Sequence, residues 1–191
     1  SIDADSYTKL SVRMRADSPL YMALRWWNAD DQQGQIACAP GTYCAAWTVD
    51  SEWRTYTFDL TDRGSYIFPA AAAVWNRSVT RFEFFRSAPV GGGNAPVNLQ
   101  VDWVRLHRAD APVNPPSGIP TPQVLTPNEQ GGEDYATAVR GNPWDFAGMD
   151  DVGETHDVDR LSVAGGDLTG RTIANDGFIG LALGPPINTD K

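Results

Sequence analysis

The sequence predicts an all-β chain: an antiparallel β-sandwich or jelly roll, followed by a Pro-rich linker and a second, smaller β segment. Three observations carry that prediction. Short stretches alternate apolar and polar residues with a period of two, Gly 18 and Pro 14 punctuate them, and no stretch sustains a helical period.

Residues 8–15 alternate strictly, with Leu10, Val12 and Met14 on one face and Lys9, Ser11, Arg13 and Arg15 on the other. Residues 20–27 repeat the pattern after Ser18-Pro19: Met22, Leu24 and Trp26 point one way, Tyr21, Arg25 and Trp27 the other. The turn residues between the two stretches predict a hairpin. Further strands are expected at 53–60, with Tyr56, Phe58 and Leu60 inward, at 79–86, with Phe82 and Phe84 inward, and at 97–107. Pro69 opens an Ala-rich stretch ending at Trp75, and a Pro suits the first turn of one short helix there.

Composition narrows the function classes. The chain has 191 residues, enough for a real core, and its 41% hydrophobic content, with Trp 7, Phe 7 and Tyr 6, offsets the entropy of ordering it. A formal charge of −9 argues against a nucleic-acid partner, because phosphate binding is driven by Lys and Arg releasing counterions. No apolar run approaches the roughly 20 residues of a membrane-spanning helix, so no membrane insertion is expected. The cysteines, Cys38 and Cys44, flank a Pro40-Gly41 turn that can bring them together as a disulfide; two buried thiols are the alternative. A zinc half-site would need further ligands, and His107 and His156 have no matching spacing. A disulfide implies an oxidising location, extracellular or at a cell surface. The opening Ser-Ile-Asp-Ala-Asp has no apolar signal core, so any export signal is expected to have been removed or to lie outside this stretch.

Residues 110–127 carry Pro112, Pro115, Pro116, Pro120, Pro122 and Pro127, which strip amide donors and favour extended polyproline geometry. This is read as a linker. Beyond it, short strands are expected at 135–139, 157–163, 167–173 and 178–183, separated by Gly165-Gly166 and Asn175-Asp176-Gly177. That last segment has few large apolar side chains and alone would be marginal.

The order Trp53-Arg-Thr-Tyr-Thr-Phe-Asp-Leu60, Trp75, Val79-Thr-Arg-Phe-Glu-Phe-Phe85, then Val101-Asp-Trp-Val-Arg-Leu106 resembles the second half of jelly-roll carbohydrate-binding modules of bacterial extracellular proteins. Leu125-Thr-Pro127, Gly132-Glu-Asp-Tyr135 and Gly141-Asn-Pro-Trp-Asp-Phe146 resemble the opening of such a module. The halves stand in reversed order. Residues 1–109 therefore read as the closing portion of a module, 110–127 as the linker, and 128–191 as the opening β segment of the next, or of a permuted, module. Ile187-Asn-Thr-Asp190 also resembles Ile2-Asp-Ala-Asp5, as a tandem array cut within a module would produce. The resemblance implies a structural Ca²⁺ held by an Asp of the closing strand and a carboxylate of the opening segment. Asp102 and Asp145 occupy the matching positions, and oxygen ligands suit that ion. The acidic run Asp150 to Glu154, with Asp157 and Asp159, reads as a solvated loop.

Sandwiches bind sugars on flat rings with a few placed polar groups. The outward side chains Arg13, Arg15, Arg25, Trp27, Arg81 and Glu83 are candidates for one such face, provided their strands are neighbours, and Trp47 and Trp53 would rim it. Trp26, Trp75 and Trp103 are assigned to the core, and Trp27 has a second reading as packing beneath the cysteine loop or a neighbouring subunit. Arginines also pair in bidentate fashion with acidic glycans or with acidic groups of a partner chain. No nucleophile elbow, phosphate loop or zinc-protease motif appears, so no enzyme is expected. Asn76-Arg-Ser78 is one glycosylation sequon. The leading expectation is an extracellular, noncatalytic glycan-binding module. Its rival is a structural repeat of a cell-surface or filament-forming protein, a head-to-tail homo-oligomer whose copies complete one another by strand complementation.

Overall fold

The computed structural model describes residues 1–30, 33–36, 47–61, 75, 78–89, 95–108, 134–141, 143–174 and 177–184. The Cys38 to Cys44 loop, residues 69–74 of the expected helix, the linker, Asn76 and the Ile187 to Asp190 echo lie outside the described residues. Period-two patterning yields the strands β1 (Ile2–Asp3), β2 (Tyr7–Ala16), β3 (Leu20–Asn28), β4 (Gln33–Ile36), β5 (Trp47–Val49) and β6 (Arg54–Asp59). They are followed by β7 (Ser78–Pro89), β8 (Val97–Arg108), β9 (Val152–His156), β10 (Val158–Ala164), β11 (Asp167–Thr172) and β12 (Phe178–Leu181).

These strands make two antiparallel sheets packed face to face, an all-β sandwich. Sheet A has the order β4-β3-β7-β12-β9, with β5 beside β3 and β1 beside β7; sheet B has the order β10-β11-β8-β2-β6. Between them lie the inward residues of both alternations: Leu10, Val12 and Met14 from β2, and Leu20, Met22, Leu24 and Trp26 from β3, all essentially inaccessible to water. Trp75 joins this core and anchors it by donating its indole N–H to the Tyr7 carbonyl at 2.8 Å.

Three sequence expectations need correction. Residues 8–15 and 20–27 do not form a hairpin: β2 lies in sheet B and β3 in sheet A. Their apolar faces meet across the core, which buries both completely; alternation specifies the buried face and not the neighbour. Residues 135–139 are helical, not extended: Ala136–Arg140 is one wide, π-type turn closed by Gly141 in the left-handed region at φ 77°. The Asp134 carboxylate accepts the Thr137 amide at 3.1 Å and its hydroxyl at 3.0 Å, fixing the start of that turn. The acidic run from Asp150 is not a solvated loop throughout, because Val152–His156 is a strand and Asp151 is buried.

The segment beyond residue 133 completes both sheets within this chain. β11 pairs with β8 (Leu168 opposite Val101) and β12 with β7 (Ile179 opposite Phe84). Trp144 and Phe146 are buried, and the Val104 amide donates to the Trp144 carbonyl at 3.0 Å. Arg140 and Asp151, both shut off from solvent, form an ion pair at 2.7 Å; Arg140 also binds the carbonyls of Asp150 and Gly184, and Asp151 takes the Phe146 amide. Burial pushes the Asp151 carboxyl up while Arg140 pulls it down. Strands β9 and β10 meet at Asp157, left-handed at φ 48°, where the chain passes from sheet A to sheet B and closes that side of the sandwich.

Candidate functional site

The candidate face is the outer surface of sheet A. Register places Arg25 opposite Glu83 and Trp27 opposite Arg81, and aligns Ala23, Phe85, Phe178 and His156 across four strands. Cross-strand neighbours share a face, so a charged row runs between two aromatic-bearing rows. Glu83 has no exposed side-chain surface, and it bridges the two arginines: Oε2 lies 3.0 Å from Arg25 Nη2, and Oε1 accepts from Arg81 Nε at 2.6 Å. Burial pushes the Glu83 carboxyl up from its ordinary value, against the opposing pull of Arg25 and Arg81.

The guanidinium groups are held over rings as well as over the acid. Arg25 sits 3.7 Å from the Phe85 centroid, and Arg81 lies 4.4 Å from the Trp27 ring and 5.0 Å from Phe178. Delocalised, weakly hydrated guanidinium groups suit such stacking. His156 stacks on Phe178 with centroids 5.7 Å apart, and Glu154 reaches Arg81 at 3.4 Å from the edge strand. Arg25 is the more enclosed cation, 17% exposed, whereas Arg81 is 39% exposed and is the face's more accessible positive group. Chemically this is a flat, partly apolar surface with two ordered cations, one buried carboxylate shared between them and a second, exposed carboxylate at the edge.

The remaining expected residues lie elsewhere, which corrects the expectation of one shared face. Arg13 and Arg15 are on sheet B, each with its guanidinium 4.8 Å from the Trp53 ring. Arg13 pairs with Asp102, and Arg15 donates to Gln100. Alternation gives each strand an outward side, but the two strands belong to opposite sheets, so their outward sides face away from each other. Trp47 pairs with Met22 through β5, and its side chain lies outside the description. Trp103, assigned to the core, is buried but sits opposite Arg13 on the outer side of sheet B. A bulge at Asp102 inserts one residue and reverses its facing.

Asp102 and Asp145 flank the same β10–β11 turn: the Asp145 carbonyl packs against Gly166, and Asp102 helps raise the neighbouring Asp167 carboxyl, chiefly raised by burial. Asp102 is engaged by Arg13, Asp145 turns back to its own loop at the Ala147 amide, and no group of three His, Cys, Asp or Glu side chains fit to hold a metal occurs among the described residues.

Sequence reading missed Phe85, Phe178 and His156. Phe85 was within reach, since alternation along β7 from Arg81 and Glu83 turns it outward. Phe178 and His156 join only because β12 and β9 add to sheet A, a pairing made far along the chain. A scan of protein-family models, a search of curated proteins and a search of solved structures each returned no match to this chain.

Proposed function

We propose that this chain is an extracellular, noncatalytic β-sandwich module that binds an acidic glycan on the outer face of sheet A. One observation carries the reading: Trp27, Phe85 and Phe178 share a face with two arginines ordered by a fully buried Glu83. Rings accept the C–H faces of a pyranose, and a guanidinium matches a carboxylate with two parallel hydrogen bonds. Arg81, the more open cation, is the group that meets the sugar acid; Arg25, beneath it, fixes the position of Glu83. Arg81 meets its second acid, Glu154, only at 3.4 Å and at the exposed edge, so an anionic ligand can compete for that guanidinium where a neutral one cannot.

The test is a panel of uronate-bearing and neutral oligosaccharides measured by titration calorimetry against the intact protein. Acidic sugars should bind, and Trp27→Ala and Arg81→Ala, each first shown to be folded, should each weaken binding by about tenfold, or roughly 1.4 kcal/mol. Equal affinity for neutral and acidic sugars, or binding indifferent to both substitutions, would overturn the reading.

A further inference from the structure

Arg81 is the cation set against a sugar acid in the reading above, and one exposed acid of this chain already stands beside it. β7, β12 and β9 are consecutive in sheet A. They align Glu83, Gly180 and Glu154: Glu83 lies opposite Gly180, and the Glu154 carbonyl packs against Gly180 from the far side. A glycine at that position means that β12 places no side chain between the two carboxylates. The Arg81 guanidinium bridges them across it.

The two acids hold Arg81 very differently. Glu83, with no exposed side-chain surface, takes Nε at 2.6 Å, whereas Glu154, 70% exposed on the edge strand, stands 3.4 Å from Nη2. The second contact is an ion pair, longer than the roughly 3.2 Å limit of a sound N–H···O hydrogen bond. Nη1 has no partner among the described residues. A guanidinium offers a carboxylate two edges for parallel bonds: Nε with one terminal nitrogen, or the two terminal nitrogens together. Glu83 closes the first edge by holding Nε. A ligand acid must therefore take the outer edge, Nη1 with Nη2, and there it meets Glu154. Two carboxylates at one nitrogen repel each other, so the ligand binds against Glu154.

From this we infer that Glu154 is an autoinhibitory residue of the sheet A face, a tethered competitor that occupies Arg81 until an ionised sugar acid displaces it. This rests on the glycan reading and supplies its regulation. A neutral sugar carries no charge to set against Glu154 and leaves it in place, so the competition falls on acids alone. Glu154 thus sets how strong an acid contact must be to open the site. Its loose hold at the exposed rim keeps that threshold low, at the worth of a surface ion pair.

The test is titration calorimetry of the intact protein with a galacturonate trisaccharide and the matching galactose trisaccharide. Glu154→Gln keeps the shape and removes the charge. It should bind the galacturonate about threefold to fivefold more tightly, as an exposed ion pair is worth, and leave the galactose affinity unchanged. Glu52→Gln removes the same charge beside Arg54 of sheet B and should change neither. In an Arg81→Ala background, Glu154→Gln should give no gain, because the double-mutant cycle isolates the pair. Galacturonate bound no more tightly by Glu154→Gln than by wild type, an equal gain from Glu52→Gln, or a gain that survives Arg81→Ala would each overturn the inference and leave the glycan reading standing. Galacturonate bound by neither wild type nor Glu154→Gln would overturn the glycan reading, and this inference with it.

Discussion

The two outer faces of the sandwich carry the same ingredients and use them differently. On sheet B, Arg13 and Arg15 lie over Trp53, and Arg13 pairs with Asp102; both partners of that pair remain about a third open, at 33% and 27%. On sheet A the carboxylate of Glu83 is wholly enclosed and shared by two arginines, which rest on Phe85, Trp27 and Phe178. Water screens the first arrangement and leaves it nearly neutral in energy. In the second the shared carboxylate has been removed from water, although Arg81 stays 39% exposed, so the acid fixes where both arginines sit. An arginine beside a tryptophan is therefore not a site by itself; a buried acid that orders the arginines makes the difference.

Four outcomes would break or sharpen that contrast. The largest concerns the acid itself. Glu83→Ala should destabilise the fold by about 3 kcal/mol, because it leaves two arginines without their shared partner and opens a cavity where a fully buried side chain stood. A shift in the urea midpoint measures it, and a loss under about 1 kcal/mol would place Glu83 in the same class as Asp102.

The second compares the tryptophans. Trp27→Ala should lower affinity for an acidic oligosaccharide by about tenfold, whereas Trp53→Ala should leave it unchanged; matched losses would show that sheet A is not the binding face. The third is a pH effect. Burial raises the folded Glu83 pKa above its ordinary 4.5, so its contribution to stability is complete below that value and is lost as pH rises through the folded one. As pH falls through the same window, Glu83 takes up a proton and the arginines gain net positive charge. Affinity for a sugar acid that stays ionised should therefore rise on acidification, and calorimetry across that range should find the rise absent in Glu83→Gln. Smallest is Asp102→Asn, which should cost between about 0 and 1 kcal/mol, read as a thermal shift of a few degrees at most.

Most strands were legible because burial of one face writes a period of two directly into the residues, as Leu10, Val12 and Met14 show. The outward positions of Arg25, Trp27, Arg81 and Glu83 followed from the same arithmetic. Errors arose wherever a local rule met a distant partner. The helical turn at Ala136–Arg140 had an acid at Asp134 positioned to hold its first amides, but the apolar Tyr135 and Val139 were read as strand. Trp103 is buried as expected, but one residue of bulge sets it opposite Arg13, a facing that no alternation count can detect when the partner strand is unknown. Buried Asp151 belongs to an acidic run, and only the Arg140 guanidinium eleven residues earlier distinguishes it from its exposed neighbours.

The sequence by itself determined the class of fold, the buried side of the major strands and the chemistry available on the outer sides, because solvent exclusion acts residue by residue along each strand. Tertiary structure alone decided which strands became neighbours. Pairing is settled by closing long loops and burying whole faces at once, so β2 and β3 parted into different sheets while β12, about a hundred residues beyond β7, came to lie beside it. That same pairing separated Arg13 from Arg25 and brought Phe178 to Arg81, which turned two similar lists of residues into one ordered face and one ordinary surface.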